Sequence, residues 1–245
     1  MLRIILNGAG GRMGREVREM LLDGDGSAVL CAQIDKSSPE IVLKNIAEYR
    51  DEADVIVDFS HHSAIKELVA YAVGRKMPLV ICTTGQTQEE KDLIHEAAKS
   101  IPVFFSANMS LGIAVLCSFA KKAAALFPDA DIEIVEAHHN RKLDAPSGTA
   151  AMIADGIKEV RPDAQCVYGR HGMKQREKNE IGIHSLRMGN EPGMHEVVIA
   201  TDFQTLRLTH NAESRAVFAE GALTAARFIA GRQPGLYDMN SIVSL

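Results

Sequence analysis

The chain has 245 residues, a net charge of −5 and 46% hydrophobic residues. That length allows one large or two modest domains with a real buried core, and the acidic balance argues against a nucleic-acid binder, which carries a basic excess. No apolar run approaches the roughly 18–20 residues that span a bilayer, so no membrane partner is expected. The first residues run straight into a strand and a glycine turn, without the long apolar stretch and cleavage site of a signal peptide. Cys31, Cys82, Cys117 and Cys166 are scattered with no Cys-x-x-Cys pair. They read as reduced, mostly buried thiols of a cytoplasmic protein.

Residues 2–6 are a short apolar run, followed by Asn7-Gly-Ala-Gly-Gly-Arg-Met-Gly14. Met13, Val17, Met20 and Leu21 then recur at helical spacing. A glycine cluster between strand and helix is the setting that a dinucleotide fingerprint requires. Gly8 allows the tight turn, Gly10 or Gly11 lets backbone approach a pyrophosphate, and Gly14 lets helix pack on strand. Ala9, Arg12 and Met13 complete this turn. The second strand, residues 28–34, ends at Asp35. That aspartate lies 21 residues beyond Gly14, near the spacing of about 20 for a ribose-binding acid. Lys36 follows directly. The acid favours NADH and the cation could meet a 2′-phosphate, so both NADH and NADPH remain open.

The crossover from Asp35 to Asp54 is short, with a few helical positions. Residues 54–59 read as a buried strand, 61–77 as a helix and 78–85 as a strand ending in a small polar turn. Thr87-Gln-Glu-Glu90 is a capping box that opens a helix to about residue 100, and residues 102–108 form the next strand. Strands alternating with helical periods predict a doubly wound parallel sheet of Rossmann type. Ligands of such sheets sit outside the carboxyl ends of the strands. Cys82, Thr83 and Thr84 form one such end, and Ser106, Ala107, Asn108 and Met109 another.

Residues 110–127 read as a long helix and 131–137 as a strand. Then comes Glu136-Ala-His-His-Asn-Arg-Lys-Leu-Asp-Ala-Pro-Ser-Gly-Thr-Ala150. Ser147 is a natural N-cap. Gly148 and Thr149 offer backbone N–H groups at the positive end of a helix, where an anion binds well. His138 and His139, which titrate near neutral pH, lie close by with Arg141 and Lys142. On strand alternation His138 shares parity with Ile132 and Ile134 while His139 points oppositely, so the two histidines have different roles. Two adjacent histidines without Glu-x-x-His or cysteine spacing make a poor metal pattern, and no metal is expected. Beyond the Ser147 helix, residues 165–172, 181–188, 196–202 and 205–210 alternate as strands, with a turn at 189–193. They predict a second, α+β domain with a mixed or antiparallel sheet. A final helix spans 215–232.

The motif His-His-x-x-Lys-x-Asp-x-Pro-Ser-Gly-Thr-Ala closely resembles the signature of the dihydrodipicolinate (4-hydroxy-tetrahydrodipicolinate) reductase family. The resemblance covers essentially the whole chain, more loosely in Arg187-Met-Gly189 and from His195 through Arg215. It implies a reductase of the lysine and diaminopimelate pathway, forming tetrahydrodipicolinate with NADH or NADPH. It implies that His138 is the proton donor/acceptor and Lys142 the second proton donor. His139, Gly148 and Thr149 would grip substrate carboxylates, and the segments at Cys82 and Ser106 would line the nicotinamide half of the cofactor. It divides the chain into residues 1–108 with 214–245, for the dinucleotide, and 109–213, for substrate and oligomerisation. It further implies a homotetramer built through the second-domain sheets. The family often has acid-arginine where this chain has Asp35-Lys36, and Cys82, Ser106 and Met109 also depart from its pattern. Two rivals are a similar dehydrogenase of another small acid, and a nucleotide sensor, which would lack the proton donors present here.

Overall fold

Strand β1 (Leu2–Asn7) has its last four residues buried, as a strand must when helices cover both faces of its sheet. It leads into α1 (Arg12–Leu22), β2 (Ala28–Ile34), β3 (Val55–Asp58), α2 (Ile65–Gly74), β4 (Leu79–Ile81), α3 (Gln88–Ala97) and β5 (Pro102–Phe105). Next come α4 (Leu111–Leu126), β6 (Asp131–His138), α5 (Gly148–Lys158), β7 (Gln165–Tyr168), β8 (Glu180–Arg187), β9 (Met194–Ala200) and β10 (Thr205–Asn211). The chain closes with α6 (Ala216–Ile229), β11 (Gly235–Tyr237) and α7 (Met239–Val243). This computed structural model describes residues 1–24 and 26–244. It divides into two compact units, Met1–Ser110 with Arg215–Leu245, and Leu111–Ser214.

In the first unit six strands form one parallel sheet, ordered β11-β5-β4-β3-β1-β2. Every residue of β3 and β4 is buried. One face packs Ile5, Ile56, Leu79 and Val103 against Leu68 and Ala72 of α2 and Ile94 of α3. On this unit's other helices, α6 lies beside α1 and packs on β3, β4 and β5. The Thr87–Glu90 capping box is formed in both directions, fixing the start of α3. Helix α6 approaches so closely that a Cβ at Gly221 would sit 1.6 Å from the Met109 carbonyl oxygen.

The second unit has a mixed five-stranded sheet, ordered β10-β9-β6-β8-β7. Strands β6, β8 and β7 run parallel, and β9 and β10 are antiparallel additions. Ile132, Ile134, Ile181, Ile183, Val197 and Ile199 pack under α4 and α5. Alternation along β9 leaves the other side of the sheet half-exposed.

Two features differ from the sequence reading. The stretch after Asp35 holds only a short 3-10 turn, Ile46–Glu48. A sixth strand, β11, follows the last helix and pairs with β5. The four cysteines are free and of intermediate burial, in line with the expected mostly buried thiols.

Adding a methyl group should therefore have opposite effects at two helical glycines. Gly221→Ala drives Cβ into a backbone carbonyl that cannot rotate away, and should cost more than about 2 kcal/mol. Gly156→Ala, where a Cβ meets nothing within 4 Å, should add about 0.5–1 kcal/mol. Urea unfolding midpoints of the two variants check both signs.

Candidate active site

In the first unit the glycine turn is held against the strand ends. Gly8 and Ala9 donate their amides to the Ile34 carbonyl at 2.8 and 3.1 Å. Gly8 has φ +80°, and a Cβ there would lie 2.6 Å from the Phe59 and Ser60 backbone. A Cβ at Gly14 would lie 2.3 Å from the Gly8 carbonyl oxygen. These positions therefore need glycine, and α1 opens just beyond Gly8, with Gly11 as its N-cap and Arg12 and Met13 in its first turn.

A cavity of about 780 Å³ adjoins this turn, bounded by Gly8, Gly11, Asp35, Lys36, Lys44 and His61 among others. The Asp35 carboxylate is busy within its own loop. One oxygen accepts from Ser37 N, Ser37 Oγ and Ser38 N at 2.9, 3.0 and 2.8 Å, and the other from Gly10 N at 3.0 Å. Partial burial opposes its charge, yet these donors outweigh it and hold its pKa below the usual carboxylate range. Bare backbone, an acid and two lysines around one cavity fit the adenosine and phosphate groups of a dinucleotide.

The other strand-end residues are placed differently. Thr83 is buried, with Oγ1 donating to Asp58 Oδ2 at 3.3 Å. Burial pushes the Cys82 thiol up, with the Asp58 charge adding to it. Thr84 and Ala107 are exposed. Ser106 Oγ donates to the Asn108 carbonyl at 2.7 Å, and Asn108 Oδ1 accepts from Ser110 N at 2.8 Å. None of residues 82–84 or 106–109 borders the 780 Å³ cavity.

In the second unit the core-facing parity of three strands continues into polar residues. Glu136 and His138 follow Ile132 and Ile134 on β6, Arg187 follows Ile181 and Ile183 on β8, and His195 precedes Val197 and Ile199 on β9. Register pairs His138 with Arg187 and Glu136 with His195. Glu136 is completely buried. Its carboxylate accepts from His138 Nδ1 at 2.6 Å, Ser147 N at 3.1 Å and both terminal nitrogens of Arg187 at 2.8 and 2.9 Å. Burial alone would raise its pKa. Hydrogen bonds from Arg187, Ser185, His138 and Ser147 reverse that and hold it down to about 2.

Ser147 caps α5 by accepting from Ala150 N at 3.1 Å, and its hydroxyl meets His195 Nε2 at 3.1 Å. Gly148 and Thr149 open the helix between these fixed points, and a Cβ at Gly148 would meet open space. The His138 and His195 rings meet edge to face with centroids 5.3 Å apart. Lys142 Nζ lies 2.9 Å from Asp144 Oδ1. His139 is half-buried just past β6, and its carbonyl accepts from Lys142 N. Arg141 is exposed and donates to Asn190 Oδ1 at 2.5 Å. His138, Lys142 and the start of α5 thus belong to one polar end of this unit. Glu136, Arg187 and His195, not singled out as site residues by motif, complete it. Their signal in the sequence is polar side chains on the core parity of strands.

Burial, helped by the nearby His138, pushes His195 down to about 4 from an ordinary value of 6.5. The unfolded chain gains a proton as pH falls through 6.5, and the folded site resists until about 4. Stability from this residue is therefore full above pH 6.5 and is lost between 6.5 and 4, by roughly 3 kcal/mol. His195→Gln, which can still bond Ser147, should show a shallower fall in unfolding free energy over that window. Parallel slopes for the two proteins would contradict this.

Two family models match the chain: dihydrodipicolinate reductase, N-terminus, over residues 2–109, and dihydrodipicolinate reductase, C-terminus, over residues 112–243. The 4-hydroxy-tetrahydrodipicolinate reductase of Caldanaerobacter subterraneus subsp. tengcongensis is 48% identical, covering 99% of this chain and 98% of the relative. That of Clostridium tetani is 44% identical, covering 100% and 98%. A solved structure of dipicolinate-bound dihydrodipicolinate reductase from Paenisporosarcina sp. TG-14 is similar, with a TM-score of 0.82 and 27% identity over 97% of each chain. The chain belongs to the dihydrodipicolinate reductase family.

Proposed function

We propose that this protein reduces 4-hydroxy-tetrahydrodipicolinate to tetrahydrodipicolinate with NADH or NADPH, in lysine and diaminopimelate biosynthesis. The observation that carries this reading is His138, held at Nδ1 by a buried carboxylate, in the same polar end as Lys142 and the start of α5. A bound pyridine nucleotide supplies the reducing equivalents. The chain's own residues supply protons and orientation. His138 gives or takes a proton at Nε2, and Lys142 is the second proton donor at Nζ. The amides of Gly148 and Thr149, at the positive end of α5, orient substrate carboxylates with His139. Dipicolinate in the Paenisporosarcina relative supports a dicarboxylate ligand.

For the cofactor we propose Gly8, Ala9, Gly10, Gly11, Arg12 and Met13 at the phosphates, with Asp35 and Lys36 at the adenosine ribose. Residues Cys82 to Thr84 and Ser106 to Met109 would flank the nicotinamide. We also propose a cytoplasmic homotetramer. Among the described residues no helix is long and apolar enough to cross a membrane. Support for the tetramer is the sheet face opposite α4 and α5, with exposed Leu186 and half-buried Val135 and Val198.

Replacing His138 with Gln or Lys142 with Ala should lower kcat by roughly 10²–10⁴, the worth of a positioned acid–base group, with nucleotide KM unchanged. Oxidation of the nucleotide, followed with substrate made in situ, measures this. Wild-type turnover in both folded variants would remove the assignment.

Cofactor choice gives a second test. A charged acceptor's hydrogen bond to a ribose hydroxyl contributes about 1.5–3 kcal/mol, and at Asp35, whose four acceptor sites are engaged, the ribose would replace the exposed Ser37 hydroxyl. Unit charges about 4 Å apart interact by about 1 kcal/mol in water and about 4 at an effective dielectric of 20. NADH should therefore serve at least as well as NADPH. Asp35→Ala should weaken NADH and spare NADPH, whereas Lys36→Ala should weaken NADPH selectively, and more at low salt. An unchanged NADH/NADPH ratio of KM values in Asp35→Ala would take Asp35 away from the ribose.

A further inference from the structure

The hydrogen-bond inventory at the end of β6 is closed. An ionised carboxylate offers about four lone-pair sites, and those of Glu136 meet His138 Nδ1, Ser147 N and two Arg187 nitrogens, with the Ser185 hydroxyl as a further donor. Each terminal nitrogen of Arg187 also holds a backbone carbonyl, Leu186 O at 2.7 Å and Asp144 O at 2.6 Å. Its four terminal N–H groups are thus all engaged. Neither side chain has a terminal donor or acceptor left for a substrate. Glu136, receiving both Arg187 groups and an amide, is purely an acceptor, so His138 Nδ1 must carry the hydrogen between them.

We infer that Arg187 and Glu136 form a positioning unit that locks His138 in one tautomer, with Nδ1–H on Glu136 and Nε2 as the only nitrogen that exchanges a proton. This rests on the proposed role of His138 and extends it. The fixed ring directs Nε2 toward Gly193, where a Cβ would come within 3.2 Å of that nitrogen. The bare backbone at Gly193 leaves room for a reacting group to approach. Arg187 keeps Glu136 in place and charged, and Glu136 keeps the imidazole oriented. A carboxylate behind a catalytic imidazole acts in this way in other acid–base sites.

The charges facing His138 come from every side. Glu136 lies on its own strand, Arg187 on β8, and His195 on β9 with His210 of β10 acting on it. Lys142 and Asp144 lie in the following loop, with His139 next in sequence. Helix α5 has no acidic residue in its first turn. Glu136 is the carboxylate in contact with the ring.

Glu136→Gln keeps the side-chain shape but removes the charge. It should lower kcat roughly 10- to 1000-fold while leaving nucleotide KM unchanged. The alkaline limb of the kcat/KM profile should move to lower pH, because the ring loses its anionic partner. Arg187→Lys, which retains charge but not the two-pronged grip, should fall between wild type and Glu136→Gln in both measures. Nitrogen-15 spectra of wild-type protein, assigned by comparison with His138→Gln, should show neutral His138 protonated at Nδ1.

A folded Glu136→Gln with wild-type kcat and pH profile would overturn the inference while leaving His138 as the proton donor, provided His138→Gln is inactive. An active His138→Gln would instead overturn the proposed role of His138. Should Glu136→Gln not fold, the wild-type spectra decide, and a neutral His138 protonated at Nε2 refutes the lock.

Discussion

A fully buried carboxylate at Glu136 is the constraint on which the second unit depends. Removing a charge from water costs several kcal/mol unless it is paired and hydrogen-bonded. Meeting that cost takes an arginine from β8, an imidazole from its own strand and the amide of Ser147. The last contact matters most for architecture. It returns the chain, after the excursion through residues 139–146, to the end of β6. The start of α5 is set there, and Ser147 then caps it through Ala150 N. Helix position and histidine orientation thus share one anchor.

The first unit buries an acid in a similar place and treats it differently. Asp58 ends β3 with no exposure. Its donors are Asn7 Nδ2 at 2.8 Å, Ser60 N and Oγ at 3.2 and 2.6 Å, and Thr83 Oγ1. No cation is among them. Burial prevails over these neutral donors and pushes its pKa up, whereas the Arg187 pair drives Glu136 the other way. Asp58 ties the ends of β1, β3 and β4 together. Its work is to fix the rim on which the glycine turn sits, and hydrogen bonds from neutral donors are enough for that. Glu136 faces the Arg187 guanidinium, whose charge only a charged carboxylate offsets.

Most of the fold was legible because its elements are long enough to show a period. The alternation in β6, β8 and β9, the apolar spacing of α1 and the capping box at Thr87 all carry their structure locally. Strand β11 does not. Three residues, Gly235–Tyr237, hold too little alternation to register, and pairing with β5 alone makes them a strand. The site was legible where one segment carries it, from His138 to Thr149. Glu136, Arg187 and His195 are brought together from three strands by register, which no local spacing encodes. Asp35 illustrates a different gap. Its distance from Gly14 was readable, but its grip on Gly10, Ser37 and Ser38 is a property of the folded loop.

Two ion pairs at the polar end of the second unit separate by the exposure of their acids. Arg187 and Glu136 are held by multiple bonds, with the acid at 0% exposure, so a ligand could displace it only by leaving a buried charge unpaired. Lys142 meets Asp144 through one contact, and the Asp144 side chain is 60% exposed. Such a pair contributes little, about 0–1 kcal/mol, because water competes for the exposed Asp144 carboxylate, the Lys142 side chain being 21% exposed. An incoming carboxylate can therefore take Lys142 from Asp144 at small cost. On the proposed reading the substrate gains a cation and a proton donor in one exchange, while Arg187 stays committed to the framework. Burial decides which positive charge a dicarboxylate meets.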